Sequence, residues 1–212
     1  MNLILPHGAY IPLMKDVPYA GIVCCLFLGV IAGCILAEKS YEKFGGNRNM
    51  ALAAFISVPI VSAVLLAFRF GESLLTFKGL ILMFLFLYAS YSDIRTRKCA
   101  DLLHVFILIT ALIGVQLNEL PDMLAAGTFV FVIMICTSVI FRGRIGGADI
   151  KFSAACGFLL GMTKSLCGLM IGLILAIAVN AVIGAVKHRN NKEYGVPMLP
   201  YLAAGFLAAY FI

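Results

Sequence analysis

Residues 123–151 read MLAAGTFVFVIMICTSVIFRGRIGGADIK. Met123–Phe141 carries no charge and is long enough to cross a bilayer, which takes about 20 apolar residues. Arg142 and Arg144 then mark a basic loop, and Gly146, Gly147 and Ala148 lead into Asp149. Asp149 opens another apolar run, with Lys151 two residues on. A carboxylate at the edge of hydrocarbon is costly to place and marks a candidate functional site.

Working outward, the same pattern repeats. Apolar runs occupy Val17–Ala37, Met50–Phe68, Leu74–Ser92, Leu102–Leu117, the short Ile150–Met162, Ser165–Val186 and Val196–Ile212. Lys78 interrupts the third run and His104 lies near one end of the fourth. The pattern predicts an all-α, polytopic integral membrane protein of about eight transmembrane helices, forming one membrane domain over residues 1–212. Composition agrees: 63% of the 212 residues are hydrophobic, 12% are charged and the mean hydropathy is +1.06. Those values exclude a soluble globular domain. Met1–Asp16 lacks the basic start of a secretory signal, so the first run is expected to be a retained span.

The net charge of +6 is explained by topology, without a nucleic-acid partner. Lys39, Lys43 and Arg48 follow the first run; Arg95, Arg97 and Lys98 the third; Arg142, Arg144 and Lys151 the fifth; Lys187, Arg189 and Lys192 the seventh. Lys15, Arg69, Lys78 and Lys164 are left for the other side. The positive-inside rule places the four basic loops in the cytoplasm and both termini outside. Asp93, which closes the third run, then shares the cytoplasmic side with Asp149.

Paired carboxylates suit peptide hydrolysis. One, ionised, takes a proton from water; the other, protonated, polarises the scissile carbonyl. Asp149 opens a helix, whose positive end favours the anion, so it is expected to be the more acidic member. Gly146 and Gly147 offer backbone angles closed to other residues and a close approach for a substrate strand. The alternative is a loop glycine pair beside an aspartate helix cap. Lys151 is open to several roles: lipid-phosphate contact, substrate steering, tuning of Asp149 or interfacial snorkelling. Asp101 is read as a cap for the fourth helix.

Other residues point to packing. Of the seven cysteines only Cys99 lies in a loop; Cys24, Cys25, Cys34, Cys136, Cys156 and Cys167 sit in apolar runs, and no C-x-x-C pair occurs. His7, His104 and His188 are scattered. No metal and no cofactor are expected. Gly157…Gly161 and Gly168…Gly172 are both G-x-x-x-G, a spacing that lets helices approach closely. Pro197 and Pro200 are expected to break the start of the last helix.

Gly-Gly-Ala-Asp-Ile-Lys at 146–151 resembles the G-x-G-D motif of the type IV prepilin peptidases, membrane aspartyl proteases of bacteria. Ser92-Asp93-Ile94-Arg95-Thr96-Arg97-Lys98 is similar to that family's first aspartate motif. Val196-Pro197-Met198-Leu199-Pro200-Tyr201-Leu202-Ala203 is similar to its closing Ile-Pro-Phe-Gly-Pro-Phe-Leu-Ala segment. The resemblance covers about residues 77–212, leaving 1–76 as a two-span region without a matching motif. The chain departs from the family at Ala148, which replaces glycine, and at Cys99-Ala100-Asp101, which stands where Ile-Pro-Asn is frequent.

The resemblance implies Asp93 and Asp149 as the catalytic pair, with Gly146, Gly147, Ala148, Lys151, Pro197 and Pro200 shaping the approach. It implies a prepilin or pseudopilin substrate, with an apolar N-terminal helix in the lipid, cleaved at the cytoplasmic face of the bacterial cell membrane. Larger family members carry a cysteine-paired cytoplasmic domain associated with N-methylation; Glu38–Asn49 is short and has no cysteine, which implies a peptidase-only form. Two rivals remain: a small membrane transporter, and a non-catalytic pilus-assembly factor with a peptidase fold.

Overall fold

A computed structural model describes residues 19–71, 73–140, 145–187 and 197–212, and the side chains within them except those of 19–28 and 184–187. His7, Lys15, Val17, Phe141, Arg142, Arg144, His188, Arg189, Lys192 and Val196, and the side chains of Cys24, Cys25 and Lys187, lie outside the described residues.

The described residues form eight α-helices, one 3-10 turn and no strand, as an all-α fold requires. In chain order these are α1 (Tyr19–Phe44), α2 (Arg48–Phe70), α3 (Leu74–Thr96), α4 (Asp101–Ala111), α5 (Leu120–Ile140), α6 (Gly147–Leu160), α7 (Met162–Lys187) and α8 (Leu199–Phe211). Four described segments are long and apolar enough to cross a membrane: Arg48–Phe70, Leu74–Thr96, Leu117–Ile140 and Met162–Ile183.

Eight helices are present, as expected, but three of them are short. Helices α4, α6 and α8 have 11, 14 and 13 residues. At about 1.5 Å per residue they reach only about 17 to 21 Å, against a hydrocarbon core of about 30 Å. Each is cut short for a local reason. Lys78 Nζ donates to the carbonyl oxygens of Ala111 (2.7 Å) and Ile113 (3.3 Å), and Gly114 turns the chain away at φ 73°. Gly161 ends α6 at φ 76°, a backbone angle open chiefly to glycine. Pro200, second in α8, and Pro197 just ahead of it set where the last helix starts.

The short helices are sheltered by protein. Helix α6 packs against α4, α5, α7 and α8. Phe152 of α6 is fully buried between Phe86 of α3 (ring centroids 5.2 Å apart) and Phe206 of α8 (6.1 Å). This aromatic stack is the centre of the core, and Leu199, Leu202 and Cys156 close around it. Helices α1 and α2 pack on each other and on α3. Their link, residues 45–47, is held to α3 by the Tyr91 hydroxyl, which donates to the Gly45 carbonyl (2.8 Å).

Only one of the two G-x-x-x-G pairs acts as a pair. A Cβ on Gly205 of α8 would run into the Gly168 carbonyl and the Gly172 backbone, so α7 and α8 touch backbone to backbone there. Gly157 packs on Val130 of α5 (3.1 Å to a Cβ placed on the glycine), whereas Gly161 serves as the helix stop.

Candidate active site

Asp93 lies in the last turn of α3 and is 8% exposed. Its Oδ2 accepts a hydrogen bond from the Leu199 backbone N–H at 3.1 Å. That donor is available because Leu199 is the first residue of α8, where N–H groups have no partner within the helix. Proline has no N–H, so between Pro197 and Pro200 only Met198 and Leu199 offer donors. The two prolines thus act by aiming α8's first amides at Asp93. This contact was not legible in the sequence, since it depends on backbone groups of residues far along the chain.

Asp149 is the third residue of α6 and 9% exposed. Gly146 occupies the cap position and has no side chain to offer, so Asp149 is not the cap. Instead Asp149 Oδ2 reaches back and accepts from the Gly146 N–H (3.2 Å), while the Gly146 carbonyl accepts from the amides of Asp149 (3.1 Å) and Ile150 (3.3 Å). Burial, followed by the charge of Asp93, pushes the Asp149 carboxyl up to about 6; the Gly146 N–H pulls weakly the other way. Burial thus works against the acidity expected from the helix N-terminus. A terminus contributes about 0.3–1 kcal/mol at the surface, whereas a rise to about 6 is worth on the order of 3 kcal/mol.

The glycines also act differently from expectation. Gly146 has φ −69° and Gly147 is already helical, so neither needs a glycine-only backbone. Gly146 is small for space: a Cβ there would sit 3.1 Å from Asp149 Oδ2. A Cβ on Gly147 would meet nothing within 4 Å. Ala148 follows in the first turn and is half-buried.

Lys151 engages Asp101, with Nζ 2.7 Å from Oδ1, tying the start of α6 to the start of α4. The bond to Lys151 holds the Asp101 carboxyl below the usual range. Asp101 is the first residue of α4 and its side chain does not cap it, which corrects that expectation. His104, buried one turn on, stands 3.9 Å from Asp101 Oδ1. Among the described residues no group of His, Cys, Asp and Glu is arranged to hold a metal ion.

Cys99 is the site neighbour that sequence reasoning passed over. Burial first, then the charges of Asp93, Asp149 and Asp101, push its thiol up to about 11. The loop between α3 and α4 therefore runs beside both carboxylates. That Cys99 is the only cysteine in a loop was a visible signal.

Two buried aspartates, one at the end of α3 and one at the start of α6, thus lie near enough for the charge of Asp93 to act on Asp149, in a helical multi-pass membrane protein. Residues 80–186, about half of the chain, match the type IV leader peptidase family, and the chain belongs to it; the matched region contains both aspartates. It is accordingly a protease, of the class that processes prepilin leaders. The chain is similar to the prepilin leader peptidase/N-methyltransferase of Bacillus subtilis (strain 168), at 29% identity over 183 residues, covering 82% of this chain and 72% of that protein. No solved structure matches.

Proposed function

We propose that the protein is a membrane aspartic endopeptidase that cleaves the leader of a prepilin or pseudopilin, with Asp93 and Asp149 as the catalytic pair. The observation that carries this reading is the convergence of the two carboxylates, each buried and each anchored by a backbone N–H at a helix start. Asp149, with its carboxyl pushed up to about 6, retains the proton and polarises the scissile carbonyl. Asp93, oriented by the Leu199 N–H, takes the proton from the attacking water. This reverses the order suggested by helix ends alone, because burial outweighs the helix terminus.

The cleavage site is read as cytoplasmic. The end of the bundle that holds both aspartates also carries Lys43, Arg48, Arg95, Arg97, Lys98 and Lys151. A basic end of this kind faces the cytoplasm under the positive-inside rule. The substrate's apolar helix would lie in the bilayer, with its basic leader at that face. The α1–α2 link of residues 45–47 has no room for an inserted domain, which favours peptidase activity without N-methylation.

Purified protein mixed with a prepilin tests the pair. Asp93→Ala and Asp149→Ala should each abolish leader release while leaving the helical circular dichroism unchanged; cleavage surviving in either variant removes the dyad. The wild-type rate should rise as one carboxyl ionises and fall above about pH 6 as the second proton leaves.

A further inference from the structure

Helices α4 and α5 each pack on α6, and between them lies a groove of about 600 Å³. Each of the three helices gives it one face. Asp101, His104, Val105 and Leu108 of α4 stand three and four positions apart, the spacing of a single helix face. Leu124, Gly127, Thr128 and Phe131 of α5 repeat that spacing as the opposite wall. Lys151, Ala154, Ala155 and Phe158 of α6 repeat it again as the floor. Each stripe spans about 10 Å of helix.

The groove is polar at one end and apolar beyond. Asp101 and Lys151, bonded to each other, stand with His104 at the starts of α4 and α6. That end adjoins the aspartate pair: Lys151 follows Asp149 by two positions, and Asp101 acts by its charge on Cys99 together with Asp93 and Asp149. Further along, Val105, Leu108 and Leu124 are 47%, 37% and 58% exposed, so the apolar wall opens sideways. The floor is low. Ala154 and Ala155 are small, and a Cβ on Gly127 would sit 3.1 Å from Phe158 Cβ and 3.2 Å from the Ala154 carbonyl, so α5 lies directly on α6. Small residues of this kind let a further helix approach closely within a membrane. Two turns of an apolar helix, about 10 Å across and about 11 Å long, match the groove in order of volume.

We infer that this groove seats the start of the substrate's apolar helix. The inference rests on the prepilin reading above, and adds where the helix lies. An occupant of this groove is apolar along its body and brings its polar end beside Asp93 and Asp149. An apolar helix preceded by a leader has that form. Contact with three helix faces then fixes its depth, and with it the peptide bond that reaches the aspartates.

Photo-cross-linking of the full chain in nanodiscs tests this. The probe is a synthetic prepilin segment, a leader joined to an apolar helix of about 20 residues. Leu108→p-benzoylphenylalanine lies in the groove, and Val64→p-benzoylphenylalanine, on α2, is an exposed apolar control. Position 108 should give adducts on the apolar helix of the segment, mapped by mass spectrometry, at no less than five times the yield from position 64. Adding Thr128→Trp, which fills the exposed wall opposite, should lower that yield at least five-fold. Equal yields at 108 and 64, adducts at 108 with lipid or this chain alone, or a yield unaffected by Thr128→Trp, each overturn the groove. Cross-linking needs no cleavage. A chain that forms the adduct without cutting keeps the groove and removes the protease reading; a chain that cuts without the adduct does the reverse.

Discussion

Asp149 is buried in the first turn of α6, where burial and its partner together keep its carboxyl protonated well above the usual carboxylate range, to about 6. The stability consequence has a definite sign. The folded protein holds this proton more tightly than the unfolded chain, so no cost exists below about pH 4, and a cost grows as the pH rises through about 6. Asp149→Asn removes the ionisation. It should raise the thermal midpoint by several degrees at pH 8 and leave it unchanged at pH 4, as followed by circular dichroism in detergent; an equal gain at both pH values contradicts the buried charge. Cys99 reports on the same pair from outside it. With its thiol pushed up to about 11, alkylation by iodoacetamide at pH 7.5 should be slow. Asp93→Asn and Asp149→Asn each remove one opposing charge and should speed it several-fold, read by mass spectrometry; an unchanged rate would place Cys99 away from the pair. Both aspartates were legible in the sequence, because a carboxylate closing or opening an apolar run stands out. Leu199 was not, because what it contributes is an amide proton, and every residue but proline has one.

Helix type followed directly from the apolar runs, but helix length did not. Leu102–Leu117 reads as a uniform apolar run, yet α4 stops at Ala111 because a lysine from α3 takes the carbonyls at its end. Nothing within the run itself announces a partner on another helix. Ile150–Met162 was recognisably short, and burial against four neighbouring helices is what lets it stay so. The G-x-x-x-G motifs show the same limit: the spacing was readable, but the facing residue, Gly205 on α8, was not. That contact has a mechanical role, since it sets how α8 sits against α7, and α8 carries the Leu199 amide to Asp93. Gly205→Ala puts a methyl into the α7 backbone. Overpacking of this kind costs about 1–3 kcal/mol, which predicts a midpoint lowered by several degrees and a reduced rate of leader release. Gly147→Ala is the control, because its methyl would meet nothing within 4 Å. A Gly205→Ala protein as stable as wild type would show that the two helices can separate without loss.

Across the whole molecule, charge separates the two ends more sharply than hydropathy does. The aspartate end gathers basic side chains from the α1–α2 link, the end of α3 and the start of α6, while the far end carries Arg69, Lys78 and Lys164. Sequence alone placed both aspartates on one side by counting loop charges as though every apolar run crossed the membrane. The short helices α4, α6 and α8 weaken that count, since a helix of about 20 Å need not exchange sides. Helix α3 is long enough to cross and carries Lys78 near one end and Asp93 near the other, so the two ends of the bundle can be probed separately. Sidedness is therefore testable at two exposed positions in a background with all seven native cysteines replaced by serine. Asn49→Cys lies beside the α1–α2 link, at the aspartate end, and Gln116→Cys lies beyond α4, at the Lys78 end. A membrane-impermeant maleimide applied to intact cells should label Gln116→Cys at once and Asn49→Cys only after permeabilisation. The reverse pattern would put the aspartates outside the cell, where a leader that has not yet crossed the membrane could not reach them.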